Sequence, residues 1–212
     1  MPFEMSHNPG ESAIVHIVDD DESLRLALQR LFRSVGLQSA AYHTAREFLD
    51  AQPQGRPGCI VLDVRMPGIN GLDLQAQLGK LDIHLPVVLM TGHGDVPMSV
   101  RAMKAGAVDF LPKPFRDQDM LDAVAAAIDR DRRRRATEGR SAGLKDRYGA
   151  LSPREQQVMT LVAAGKLNKQ VAAMLGISEV TVKIHRSAAM RKMEARTLAD
   201  LVRMADELKL AP

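Results

Sequence analysis

The fold is decided by the stretch Gly58-Cys59-Ile60-Val61-Leu62-Asp63, an uninterrupted apolar run that ends in a carboxylate. A short apolar run of this kind is typical of a buried strand. The same arrangement occurs three more times, where apolar runs precede the acidic triplet 19–21, Thr91 and Lys113. Because the carboxyl ends of parallel strands meet at one edge of an open α/β sheet, we expect these side chains to share one pocket.

Strand-like and helix-like segments alternate from residue 13 to residue 128. The expected strands are 13–18, 38–42, 59–62, 86–90 and 108–111, and the expected helices are 24–34, 45–51, 72–81, 98–105 and 117–128. Five consecutive βα units predict a five-stranded parallel sheet with helices on both faces.

The charges of the chain are divided unevenly between its two halves. Residues 1–128 contain 11 Lys and Arg against 16 Asp and Glu, a net charge of −5, whereas residues 129–212 contain 18 against 10, a net charge of +8. An acidic half joined to a basic half indicates two functions, with an anionic polymer as the partner of the second. A solvated basic surface would give the same totals.

The composition also indicates the cellular compartment of the protein. No run of about 18 apolar residues occurs, so we expect no transmembrane helix and no membrane partner. The first dozen residues lack the basic-then-apolar plan of a signal peptide. Cys59 is the single cysteine, which excludes an internal disulfide and a CxxC metal site. These features predict a cytoplasmic protein.

The chain is expected to comprise an N-terminal tail (1–12), an α/β domain (13–128), a linker (129–149) and an all-α domain (150–212). The linker should begin as a helix and end in a flexible segment. Its arginine cluster, Arg130 with 132–135, fits either a solvated helix face or a contact with phosphates.

Four helices are expected after residue 150, the first three capped by Ser152, Asn168 and Ser178. In the third helix, the spacing of Val182, Ala189 and Met193 predicts an inward stripe, with His185 on the same side. Lys183, Ile184 and Ser187 would then point outward. A helix-turn-helix and a small helical bundle both fit this pattern.

The acidic pocket has two possible uses on its chemistry alone. Three carboxylates, a hydroxyl and an ammonium can hold a divalent metal and a phosphoryl group. Such a pocket serves either a phosphorylation switch or a Mg²⁺-dependent phosphohydrolase with Asp63 as nucleophile. The enzyme is disfavoured, because Arg65 stands where its acid/base would be needed and no substrate cap is visible.

Residues 13–128 resemble the receiver domain of bacterial response regulators. The matching segments are Val18-Asp19-Asp20-Asp21-Glu22, Leu62-Asp63-Val64-Arg65-Met66-Pro67-Gly68, Met90-Thr91-Gly92 and Phe110-Leu111-Pro112-Lys113-Pro114-Phe115. The resemblance implies a flavodoxin-like strand order, Asp63 as phosphoacceptor, and Mg²⁺ as cofactor. The implied metal ligands are Asp19, Asp20, Asp63 and the backbone carbonyl of Arg65. The implied switch residues are Thr91, Phe110 and Lys113. We also hypothesise that Arg65 and His93 tune dephosphorylation.

Residues 150–208 resemble the LuxR-type DNA-binding domain. The resemblance is carried by Leu151-Ser152-Pro153-Arg154-Glu155, Leu175-Gly176-Ile177-Ser178 and Thr181-Val182-Lys183-Ile184-His185-Arg186, among other segments. It implies that Lys183 and Ile184 reach base edges, with Ser187 where some relatives carry a basic base-reading residue. The residues implied to contact phosphates are Lys169, Thr181, Arg186, Arg191 and Lys192.

A receiver followed by this domain resembles the FixJ/NarL class of response regulators, and the FixJ side of it more closely. The implied partners are a sensor histidine kinase, double-stranded promoter DNA, RNA polymerase and a second copy of the chain. Dimerisation is expected through the 98–128 surface after phosphorylation. A third hypothesis is a receiver that works only through protein partners and carries an inert helical tail.

Overall fold

The computed structural model describes residues 12–53, 55–92 and 96–210. The predicted N-terminal tail falls almost wholly outside these ranges, and His93 lies outside them too. Contacts divide the chain into two compact units, Met1–Arg135 and Ala136–Pro212. Within the ranges described, no helix combines the length and apolarity needed to cross a lipid bilayer.

The first unit is an α/β sandwich of three layers. Its strands are β1 (Ile14–Val18), β2 (Gln38–Tyr42), β3 (Gly58–Asp63), β4 (Val87–Thr91) and β5 (Asp109–Pro112). Its helices are α1 (Glu22–Ser34), α2 (Ala45–Asp50), α3 (Gly71–Leu78), α4 (Val96–Lys104) and the start of α5 (Asp117–Gly149). The strands pair in parallel in the order β2-β1-β3-β4-β5, which confirms the predicted flavodoxin-like sheet.

Alternating side chains of the strands fill two separate cores, one on each face of the sheet. Val15 and Ile17 of β1 pack with residues of α1 and α5, whereas Val18 packs on the other face with residues of α2, α3 and α4. All six residues of β3 are buried. This central strand carries Asp63 at its carboxyl end, so the sheet fixes the position of that carboxylate.

Helix α5 is much longer than the sequence indicates. It continues without interruption from Asp117 to Gly149, so the segment expected to be flexible is helical to its end. The helix crosses the boundary between the two units, which falls between residues 135 and 136.

The second unit surrounds a core of its own with the end of α5 and four further helices. These are α6 (Pro153–Ala163), α7 (Asn168–Leu175), α8 (Glu179–Lys192) and α9 (Leu198–Glu207). Ser152 and Ser178 cap α6 and α8 as predicted. The prediction that Asn168 caps α7 is wrong, because Leu167 is the cap residue and the Asn168 side chain instead accepts a hydrogen bond from Arg186.

Candidate functional site

The acidic residues expected in one pocket do meet at the carboxyl edge of the sheet. Oxygen atoms of Asp19, Asp20 and Asp63 lie within 4.8 Å of one another. The strands β1 and β3, which end just before or at these residues, are neighbours in the sheet. Thr91 ends β4, the next strand, and its side chain is fully buried.

Lys113 links the pocket electrostatically. Its Nζ lies 2.7 Å from Oδ2 of Asp19 and 3.3 Å from Oδ1 of Asp63. The backbone places it there, because the Lys113 N–H donates to the Thr91 carbonyl at 2.7 Å and so extends the pairing of β4 with β5. One ammonium group therefore lies between two buried carboxylates.

Asp63 is held in an environment that disfavours its charge. Burial raises the pKa of the Asp63 carboxyl, Lys113 opposes that rise, and Asp19 adds to it. Among the residues that the structure describes, none donates a well-formed hydrogen bond to Oδ1 of Asp63, although that atom is buried. A further positive charge beside this oxygen would relieve both conditions.

The donor set fits Mg²⁺. That ion prefers oxygen ligands and is usually bound by one or two carboxylates together with water and phosphate. Asp19, Asp20 and Asp63 supply clustered carboxylates, and Oδ1 of Asp63, which has the 3.3 Å ion pair with Lys113 but no hydrogen bond from a described residue, can also bind a cation. Asp20 and Arg65 also line an open cleft of about 730 Å³ beside the carboxylates, which gives a substrate access.

Sequence reasoning missed two arginines near this pocket. Nη1 of Arg25 donates to the carbonyl of Asp19 at 2.6 Å, which holds the loop after β1. Arg101 of α4 lines the same cleft as Asp20 and Arg65. Both arginines lie on helices at a distance in sequence from the strand ends, and a search restricted to residues after strands does not find them.

Phe110 of β5 is partly buried and packs against the core that includes residues of α3 and α4. Its ring therefore belongs to the same side of the sheet as α4, which begins soon after Thr91. Packing of this kind is compatible with the implied switch role of Phe110 and equally with that of an ordinary core residue.

A second candidate surface lies on α8. Val182, Ala189 and Met193 are buried, as the predicted inward stripe requires, and His185 is half-buried. The opposite face exposes Lys183, Ile184, Ser187 and Arg191, together with Val180. Ile184 is 62% exposed and Val180 on the same face 66%, so this face combines apolar and basic side chains at the surface.

The helix before α8 completes a helix-turn-helix. Helix α7 ends at Leu175 and is capped by Gly176, which has a φ of 65°, a left-handed conformation that glycine adopts without strain. Ser178 then caps α8, with its Oγ accepting the Thr181 N–H. The connection thus takes only three residues, 176–178.

Three of the side chains expected on phosphates have partners inside the second unit. Nζ of Lys192 donates to Oε2 of Glu155 at 2.7 Å and to the carbonyl of Ala150 at 3.2 Å. Nη1 of Arg186 reaches Oδ1 of Asn168 at 3.4 Å, and the hydroxyl of Thr181 bonds that of Ser178. Lys169 and Arg191 are exposed, as phosphate contacts require.

Two family models match the chain. Residues 15–125 match the response regulator receiver domain, and residues 149–205 match the bacterial regulatory proteins of the luxR family. The two matches coincide with the α/β unit and with the four helices after α5.

Full-length relatives share both parts. The chain is 57% identical to nodulation protein W of Bradyrhizobium diazoefficiens over 199 residues, which cover 94% of this chain and 88% of the relative. It is 44% identical to the transcriptional regulatory protein FixJ of Rhizobium meliloti, over 90% of this chain and 94% of the relative.

Solved structures of response regulators are similar to the chain over nearly its whole length. The response regulator StyR superposes with a TM-score of 0.85 at 44% identity, over 92% of this chain and 99% of StyR. Full-length FixJ from B. japonicum gives a TM-score of 0.57 at 39% identity, over 95% of this chain and all of FixJ.

Proposed function

Because the chain belongs to the response regulators that join a receiver domain to a LuxR-type DNA-binding domain, we propose that Asp63 is its phosphoacceptor and that phosphorylation controls DNA binding by α8. The observation that carries this proposal is the ammonium of Lys113 between the carboxylates of Asp19 and Asp63. The family is a class of transcription regulators rather than of enzymes.

The proposed input is phosphoryl transfer from a phosphohistidine of a sensor kinase. A carboxylate oxygen of Asp63 attacks phosphorus, the P–N bond breaks, and the imidazole leaves with the electron pair of that bond and takes up a proton. The open cleft beside Asp20 and Arg65 admits the donor. Lys113 neutralises charge on the transferring group, so that positioning and electrostatics supply most of the catalysis.

The metal site belongs to this step. We assign Asp19, Asp20, Asp63 and the backbone carbonyl of Arg65 as the groups that would hold Mg²⁺. The ion, when bound, supplies positive charge to the phosphoryl oxygens. Arg25 keeps the Asp19 backbone in place, which keeps the carboxylate of the same residue directed at Lys113.

The product changes the charge of the pocket. A phosphoryl group adds roughly −1.5 to −2 charges beside Asp19, which favours movement of Lys113 and of the Thr91 hydroxyl toward the phosphate. Phe110 follows into the space that Thr91 vacates. The 98–128 surface then changes and supports dimerisation, while Arg65 and His93 set the lifetime of the acyl phosphate.

The proposed output is recognition of double-stranded promoter DNA. Lys183 can donate to guanine, and Ile184 can contact a thymine methyl group in the major groove. Lys169 and Arg191 supply phosphate contacts. Among the described residues Arg186 bonds only Asn168, at a long 3.4 Å, and we keep it among the proposed phosphate contacts. RNA polymerase is the proposed partner of the DNA-bound dimer.

The competing phosphohydrolase is distinguished by stoichiometry. With acetyl phosphate and Mg²⁺, we expect incorporation of one base-labile phosphate per chain and none in Asp63→Asn. Mass spectrometry of the intact protein measures both. Sustained hydrolysis of p-nitrophenyl phosphate by the wild type, lost in Asp63→Asn, would instead support the enzyme.

A further inference from the structure

Part of the arginine cluster of α5 forms ion pairs within the protein, which the sequence does not reveal. Nη2 of Arg134 lies 2.7 Å from Oδ1 of Asp131, and Nε of Arg135 lies 2.7 Å from Oδ2 of the same residue. Both arginine side chains are only 28% exposed. Two of the cluster's five arginines are therefore committed to one carboxylate rather than presented to solvent.

Asp131 also reaches the sheet. Its side chain is completely buried, and Oδ2 accepts the backbone N–H of Gly58 at 3.1 Å. The two residues are 73 positions apart in sequence. The charge of Asp131 also affects its surroundings. Burial raises the pKa of the neighbouring Cys59 thiol, and the Asp131 carboxylate raises it further. A buried carboxylate with three charge-assisted hydrogen bonds forms a strong contact with a defined geometry.

Gly58 is required for this contact. It is the first residue of β3 and pairs with Ile14 of β1. A Cβ atom on Gly58 would lie 2.1 Å from the carbonyl oxygen of Ile14, so that any side chain would force the strands apart. The N–H at the beginning of β3 is thus held between β1 and the Asp131 carboxylate. The other end of β3 is Asp63.

We propose that Asp131, Arg134, Arg135 and the N–H of Gly58 form a clamp, here called the Asp131 clamp, which fixes α5 to the phosphoacceptor strand and through which phosphorylation acts on the helix. The second part rests on the proposed function. The clamp occupies the last turn of α5 before the boundary at residue 135, and the helix continues from it to Gly149. Asp131 is therefore a positioning residue, remote from the reacting atoms.

The helix itself offers a matched control. Asp129 forms an ion pair with Arg133 at 2.6 Å, also one turn apart, but these side chains are 57% and 80% exposed. An exposed pair contributes little, whereas removing one partner from a buried charge pair leaves the other uncompensated. Asp131→Asn keeps the shape and can still accept the Gly58 N–H, but it leaves two arginines without their counter-charge. Asp129→Asn makes the same chemical change at the surface.

The test uses the full-length chain and three measurements: amide hydrogen exchange in residues 132–149, phosphate incorporation from acetyl phosphate, and affinity for a duplex selected from a random-sequence pool. In Asp131→Asn we expect exchange to accelerate by about tenfold or more. Phosphate incorporation should match the wild type. The gain in DNA affinity on phosphorylation should shrink by about fivefold or more. Asp129→Asn should resemble the wild type throughout.

Arg135→Gln removes one arginine of the clamp and leaves the bond between Asp131 and the Gly58 N–H in place. It should change exchange and the affinity gain in the same direction, and it decides the test if Asp131→Asn does not fold. Exchange in both clamp variants equal to that in Asp129→Asn would overturn the clamp. Faster exchange with an undiminished affinity gain would overturn its role in signalling. A wild type that gains no DNA affinity from acetyl phosphate would refute the proposed function, and the exchange comparison would still decide whether the clamp exists.

Discussion

The properties of Asp63 depend on its burial and on two charged neighbours, Asp19 and Lys113. Burial and the Asp19 carboxylate raise its pKa, while the Lys113 ammonium lowers it. These residues come from three different strand ends, separated by up to 94 positions in sequence. The strand pattern was sufficient to predict that they meet, because parallel strands present their carboxyl ends at one edge. Arg25, which belongs to α1, was not predictable in this way.

His16 is a second buried titratable residue, and it gives the receiver unit a pH dependence. It packs against the rings of Tyr42 and Phe48, and its Nδ1 lies 3.1 Å from the Tyr42 hydroxyl. Burial lowers the pKa of His16 from 6.5 to about 4. The unfolded chain therefore binds an additional proton between these pH values, and folding is opposed there.

We expect His16 to remove roughly 3 kcal/mol from the free energy of unfolding of the receiver unit as the pH falls from 6.5 to about 4. This loss is absent above pH 6.5 and complete below about pH 4. Urea unfolding followed by receiver NMR signals measures it, with His16→Phe as the non-titrating reference. Equal losses of stability in wild type and His16→Phe over this interval would contradict the assignment.

Helices show where sequence reasoning succeeds and where it fails. The outward face of α8 was predictable, because Val182, Ala189 and Met193 follow the helical period. The length of α5 was not, because Gly139 and Gly143 disfavour a helix locally. Distant contacts override that preference, among them Leu144 in the second core and Arg147, which donates to the carbonyl of Met193. The prediction that Asn168 caps α7 was wrong for the same reason, because the Asn168 side chain accepts a hydrogen bond from Arg186, 18 residues away.

Lys192 and Arg191 end α8 side by side, but their surroundings assign them different tasks. Lys192 bonds Glu155, whose pKa its hydrogen bond lowers, and so ties the end of α8 to the start of α6. Arg191 lines the exposed face with Lys183 and Ile184. We therefore propose that Lys192 holds α8 in place and that Arg191 contacts a DNA phosphate.

The salt dependence of DNA binding separates these two tasks. Arg191→Met should reduce the slope of log affinity against log salt by about 0.9, the value for one lost phosphate contact. Lys192→Met should weaken binding and lower the melting temperature of the LuxR-type unit while it leaves the slope unchanged. An equal reduction of the slope in both variants would show that Lys192 also contacts a DNA phosphate. An unaltered slope in Arg191→Met would exclude that residue from them.

At the scale of the whole molecule, an acidic receiver and a basic DNA-binding unit share one chain. The net charges of −5 and +8 on residues 1–128 and 129–212 suit a phosphoryl-accepting pocket with its cation and a surface for anionic DNA, respectively. Composition alone left an inert helical tail possible. The exposed face of α8 and the match of residues 149–205 to the luxR family answer that question in favour of a DNA-binding unit.

We propose above all that phosphorylation of Asp63 determines how the chain binds DNA. The most direct measurement is the DNA affinity and the molecular mass of wild type and Asp63→Asn, with and without acetyl phosphate in the presence of Mg²⁺. We expect acetyl phosphate to shift wild type from monomer toward dimer and to tighten DNA binding, and to leave Asp63→Asn unchanged in both respects. Equal affinities and masses in all four conditions would contradict the claim.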